Sequence, residues 1–133
     1  WEVGERGFQL VLSGDLPEVI DGHLADDMAS FLAEHGYGIE DIGRWICHPG
    51  GPKVLEAIES TLDLGSGALA RSRASMEAIG NLSSVSVLHV LRETLACEEP
   101  VEGPAVMMAM GPGFSAEFLL LERSDEAGER ERG

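Results

Sequence analysis

Basic residues are scarce in this sequence. Nine lysines and arginines, with Lys53 the only lysine, stand against 24 aspartates and glutamates and leave a formal net charge of -15. A field of that sign repels phosphate backbones and anionic lipid surfaces, so nucleic acid is not an expected partner. Cysteine is equally sparse. Cys47 and Cys97 lie in apolar segments without CxxC spacing, which argues against a disulfide framework or a zinc site and fits a reducing cytoplasm. No apolar run approaches the roughly 18 to 20 residues that cross a bilayer, so no membrane span is expected. The first residues, Trp1 to Arg6, are neither a basic signal-peptide start nor an initiating Met, as in a chain cut from a longer one. No internal repeat is present.

What remains is an ordinary globular composition, 44% hydrophobic and 25% charged over 133 residues, which suits one core and is too short for two full domains. Phe8 to Leu12 alternates loosely and predicts a short strand closed by Ser13-Gly14-Asp15. Pro17 and Glu18 suit a helix start, and Ile20, Leu24, Met28, Phe31 and Leu32 continue at helical spacing until His35-Gly36. Arg44 to His48 is short and bulky, is stopped by Pro49-Gly50-Gly51-Pro52, and predicts a buried strand. Helices are predicted from Pro52 to Thr61, from Ala68 to Ile79 and from Ser83 to Ala96, the last so apolar on all sides that it is expected to be central and buried. Val106 to Met110 and Glu117 to Leu121 read as strands flanking a tight Gly111-Pro112-Gly113 loop, and Asp125 to Gly133 as a charged, frayed tail. The order is that of a layered α/β domain, with helices covering a mixed sheet.

Three loops can carry chemistry. In Cys47-His48-Pro49-Gly50-Gly51-Pro52, a strand fixes the histidine and two glycines allow close approach to the backbone. The helix starting at Pro52 aims its positive end into the same space. That suits a fixed proton donor, and a structural turn with an incidental histidine is the alternative. Cys47 cannot serve as a nucleophile for His48, because successive strand residues point to opposite faces; it reads as a small buried hydrophobe. In Gly80-Asn81-Leu82-Ser83-Ser84, the Asn81 amide can donate to a developing oxyanion, but taken alone a helix cap is the better explanation. Ser83 can line a pocket or satisfy the first helical turn. Met110-Gly111-Pro112-Gly113 can form a slim cavity wall or a plain connection. Lys53 can meet an anionic ligand or solvent. His23, His35 and His89 have no ligand spacing and read as surface or packing residues, so no metal is expected.

Taken in order, Trp45 to Leu55, Gly80 to Ser84 and Gly111 to Gly113 resemble the carboxyl-terminal half of the type III polyketide synthases, the chalcone-synthase-like enzymes, over about Gly7 to Glu122. His48-Pro49-Gly50-Gly51-Pro52 is the most specific element. The resemblance implies a thiolase-like fold, with residues 1–124 forming its carboxyl-terminal half and 125–133 a flexible tail. The amino-terminal half, which carries the nucleophilic cysteine and most cationic contacts to coenzyme A, is then missing. It also implies a homodimer, no cofactor, and coenzyme A thioesters as substrates.

His48 and Asn81 fall at the family's catalytic histidine and asparagine. Gly50, Gly51, Lys53, Ser83, Met110, Gly111, Pro112 and Gly113 are expected, on this resemblance, to border the substrate. The implied reaction is decarboxylative condensation of malonyl-CoA onto an acyl-CoA starter. Ala109-Met110-Gly111-Pro112-Gly113-Phe114 resembles bacterial members that turn fatty acyl starters into alkylpyrones or alkylresorcinols. Alternatives are a condensing enzyme like ketoacyl-acyl-carrier-protein synthase III and a non-catalytic acidic interaction domain.

Overall fold

The computed structural model describes residues 2–4, 7–9, 16–99, 102–111 and 115–123. The strand expected from Phe8 to Leu12 is present at Phe8 and Gln9 as part of β2 (Gly7–Gln9), which pairs antiparallel with β1 (Glu2–Gly4), and the expected Leu10 to Leu12 portion lies outside the described residues. Helix α1 (Leu16–Glu34) places Ile20, Leu24, Met28 and Leu32 on one stripe, all buried, as their i, i+4 spacing requires.

A 3-10 turn at Ile39–Asp41, closed by the Gly38 N–H donating to Asp41 Oδ2 at 2.7 Å, leads into β3 (Arg44–Cys47). Helices α2 (Pro52–Thr61), α3 (Ala70–Ile79) and α4 (Ser84–Leu95) follow, and then β4 (Ala105–Gly111) and β5 (Ser115–Leu121). The central sheet is mixed, in the order β3-β4-β5: β3 runs parallel to β4 with Cys47 opposite Met108, and β5 returns antiparallel.

Both faces of this sheet are covered, which explains why β3 reads as an unbroken apolar run. Trp45, Cys47, Val106 and Met108 alternate onto the face packed by α1 and α2, where they meet Leu24, Met28, Leu55 and Ile58. Ile46 points the other way, onto Val87 and Val90 of α4, with Met107 and Leu121 alongside. Helices on either side of one sheet give the layered α/β/α arrangement.

Two close contacts fix the lower end of the sheet. The Gly43 N–H donates to the Pro104 carbonyl at 2.9 Å. Beside it Gly103 adopts φ +87°, and a Cβ there would overlap the Asp41 carbonyl, so no other residue fits.

One expectation needs correction. Helix α4 is not buried all round: only Ser86, Val87, Val90 and Thr94 are buried, while Val85 and Leu88 are each 55% exposed and Leu95 is 75% exposed. A single stripe of the helix meets β3 and β4. Among the described residues nothing covers the other apolar side.

Candidate active site

Because β3 and β4 run parallel, their carboxyl ends emerge on the same edge of the sheet, where ligands of α/β sheets gather. His48 stands at the end of β3, its backbone N–H donating to the Met108 carbonyl at 2.9 Å. Strand alternation puts its side chain on the Ile46 face, the side of the sheet that α4 covers. The imidazole is half-buried and Nδ1 is fully enclosed without a hydrogen-bond partner. Burial holds the ring below the ordinary histidine value of 6.5, so it is neutral at pH 7.

The ring lies across Gly50. A Cβ added there would meet His48 Cδ2 at 3.7 Å and Nε2 at 3.9 Å, and one added at Gly51 would meet nothing within 4 Å. The Gly50 N–H donates to the His48 carbonyl at 2.9 Å, which curls the loop back toward the ring. The helix that follows opens with Pro52 at its first turn and a Leu55 N–H donating to the Gly51 carbonyl at 3.1 Å.

Asn81 reaches the same glycine through its carbonyl. Its Nδ2 donates to the Gly50 carbonyl at 3.3 Å, and its Oδ1 accepts from the Ser83 N–H at 3.0 Å. Ser83 has φ +57°, a conformation that serine adopts rarely, and the Leu82 N–H donates to the buried Ser86 hydroxyl at 2.6 Å. These contacts hold the loop in a defined shape ahead of α4. The histidine loop and the asparagine loop, 33 residues apart in sequence, therefore meet at Gly50.

The structure brings the other predicted residues to this centre only in part. Met110 and Gly111 end β4 on the shared edge, but strand alternation turns the Met110 side chain onto the α1/α2 core, the face opposite His48, so it does not border the site as expected. Pro112 and Gly113 lie outside the described residues. Lys53 and Ser83 are exposed, on the first turn of α2 and just before α4. Cys47 points away from His48 into the α1/α2 core with no exposed surface, and burial pushes its thiol up to about 12. It is a packing residue. His35 bonds the Phe31 carbonyl through Nδ1 at 2.8 Å, and His89 meets Ser75 at 2.8 Å; among the described residues no histidine, cysteine and carboxylate cluster is arranged to hold a metal.

Residues 1–124 match the C-terminal domain of the chalcone and stilbene synthases. The chain belongs to that family. A 1,3,6,8-tetrahydroxynaphthalene synthase of Streptomyces peucetius is 50% identical over 122 residues, covering 91% of this chain and 32% of that protein. An alpha-pyrone synthesis polyketide synthase-like protein of Mycobacterium tuberculosis is 32% identical over 122 residues, covering 90% of this chain and 31% of its own length. Among solved structures, PKS-I of the brown alga Ectocarpus siliculosus superposes with a TM-score of 0.81 at 30% identity, covering 92% of this chain and 34% of that one.

The fold is the thiolase-like α/β fold of the type III polyketide synthases, as the resemblance implied. The chain spans about a third of the length of these relatives. Within the chalcone and stilbene synthase domain, sequence reasoning singled out the loops of His48 and Asn81 by their punctuation and took the roles of these residues from the family resemblance. It missed the hydroxyl side chains behind those loops, because serine within a helix carries no spacing signal.

Proposed function

We propose that this chain is the carboxyl-terminal half of a type III polyketide synthase, an acyltransferase that condenses malonyl-CoA with an acyl-CoA starter. The observation that carries the reading is the meeting of His48 and Asn81 at Gly50, on the carboxyl edge of the sheet. Both side chains present N–H donors without adding net charge. With Nδ1 enclosed and unpartnered, the proton of the neutral imidazole belongs on Nε2, since an orphaned buried N–H is the costlier arrangement.

Two such donors suit the oxygen of a malonyl thioester. The bond between the carboxylate and the α-carbon breaks, CO₂ leaves, and its electron pair becomes an enolate whose negative oxygen the donors stabilise. The enolate carbon then attacks the carbonyl of an acyl group held as a thioester, and the thiolate departs. That thiolate belongs to another part of the enzyme, because Cys47 is enclosed with its thiol held protonated, and Cys97 lies between Thr94 and Glu99, whose carbonyls bond Arg44 at the start of β3, away from His48. Cationic residues outside this chain are required to grip the coenzyme A phosphates against its charge of -15. The working form is a homodimer of the intact enzyme.

For the starter, the sequence from Ala109 to Phe114 favours a fatty acyl chain and an alkylpyrone or alkylresorcinol product, in keeping with the 32% identity to an alpha-pyrone synthesis protein, although Met110 itself packs on the sheet face opposite His48. A second reading rests on the 50% identity to a tetrahydroxynaphthalene synthase, whose named product carries no alkyl chain. Mass spectrometry of products from the full-length enzyme given malonyl-CoA, with and without a long acyl-CoA, tests both. Products that retain the alkyl chain support the first. A single alkyl-free naphthalene formed from malonyl-CoA alone supports the second, and absence of both product and CO₂ release removes the synthase reading.

A further inference from the structure

Among the described residues four polar side chains are buried, Ser72, Ser75, Ser86 and Thr94, and all four carry hydroxyls. Thr94 donates within its own helix to the Val90 carbonyl at 2.7 Å, and Ser86 serves the loop four residues before it. The two on α3 reach outward. Ser75 meets His89 of α4 at 2.8 Å, and Ser72, with no exposed surface, donates to the Cys47 carbonyl at 2.7 Å.

The Cys47 carbonyl belongs to the peptide unit that links Cys47 to His48. The N–H of that same unit donates to the Met108 carbonyl at 2.9 Å. One peptide plane is thus held from both sides, by β4 through its N–H and by α3 through its C=O. Among the described residues β3 is an edge strand of the sheet, so Ser72 supplies the donor to a carbonyl that no neighbouring strand meets. With this plane held, and the next one held by the Gly50 N–H donating to the His48 carbonyl at 2.9 Å, the direction of the His48 Cα–Cβ bond is fixed. Helix α3 then runs directly into Gly80 and Asn81, so one rigid helix both holds the peptide before the histidine and delivers the asparagine.

Resting on the reading of His48 and Asn81 as paired donors, we infer that Ser72 is a positioning residue that sets His48 against Asn81. It touches no substrate and acts through the 47–48 peptide. Ser72→Ala leaves the carbonyl unpaired and lets the plane rotate. A small misplacement of a catalytic group costs up to about 100-fold in rate, so a fall in kcat of roughly 10- to 100-fold is expected.

The test uses the full-length enzyme and follows CO₂ release from malonyl-CoA. For Ser72→Ala, kcat falls while KM for malonyl-CoA stays within about twofold, and Ser72→Thr, which keeps the donor, restores kcat. Thr94→Val removes an equally enclosed hydroxyl far from the site and leaves kcat unchanged. If His48→Ala abolishes decarboxylation while Ser72→Ala turns over normally, the positioning role is wrong and the site reading stands. If His48→Ala turns over normally, the site reading itself fails. Should Ser72→Ala not fold, Ser72→Thr against Ser72→Cys decides: a weak S–H donor gives the lower kcat, and equal values overturn the inference.

Discussion

The Asn81 amide is used at both ends: Oδ1 accepts the Ser83 N–H at 3.0 Å, and Nδ2 donates to the Gly50 carbonyl at 3.3 Å. The first bond fixes which end of the amide is which, because only an oxygen can accept from a backbone N–H. The second leaves one of the two amide hydrogens free to turn toward a ligand beside His48.

Asn81→Asp keeps the shape and the Ser83 contact but places a carboxylate oxygen against the Gly50 carbonyl and removes the donor. Decarboxylation of malonyl-CoA by the full-length enzyme is expected to fall by roughly 100- to 1000-fold, the usual cost of one oxyanion donor. Asn81→Ala should fall by a similar factor. Turnover within a few-fold of wild type in both variants would remove Asn81 from the mechanism.

Cys47→Ser tests the separation of the two neighbours in β3. The thiol is enclosed in the α1/α2 core, so acyl-enzyme formation should be retained. The cost is in stability, about 1 to 3 kcal/mol for a hydroxyl buried among apolar side chains, read as a lowered Tm. Loss of acyl-enzyme formation with an unchanged Tm would return Cys47 to the chemistry.

The sheet and its helices were legible because the apolar spacing and the Gly-Pro punctuation both follow backbone geometry. Leu24, Met28 and Leu32 announce α1 by spacing alone, and Pro49 to Pro52 announces the end of β3. The exposed side of α4 was not legible. Val85 and Leu88 look the same in sequence whether a residue packs against its own domain or against nothing, since periodicity reports apolarity and not what covers it. Within the candidate site, loop chemistry singled out His48 and Asn81 but left a structural turn and a helix cap open for them, and only the family resemblance chose between these. Ser72 was not, because its partner is a backbone carbonyl 25 residues away that no residue type encodes.

Gly103 offers a test of the frame below the site. At φ +87° an alanine is strained, and its Cβ would overlap the Asp41 carbonyl, backbone against backbone, with no flexible side chain to yield. Gly103→Ala should cost about 1 to 3 kcal/mol from the conformation alone, with more from the overlap. The β4 entry at Gly43 and Pro104 should loosen first, visible as faster amide exchange of the Gly43 N–H, which that contact protects. A Tm equal to wild type would mean that the 103 turn is not rigid.

The titration of His48 distinguishes this chain alone from the intact enzyme. Here burial lowers the folded-state value below 6.5, so the folded state binds fewer protons than the unfolded state wherever the ring titrates. Stability is then complete above the unfolded value and is lost as the pH falls from about 6.5 through the folded value, below which the loss is constant. His48→Gln cannot charge, so its Tm should gain on wild type as the pH is lowered through that window, while contributions from all other groups cancel in the difference. In the intact enzyme a cysteine thiolate beside the imidazole would raise the folded value instead. The histidine's contribution would then be present at low pH and lost as the pH rises through the raised value, and the difference curve would change sign. The same sign in both would mean that no thiolate pairs with His48.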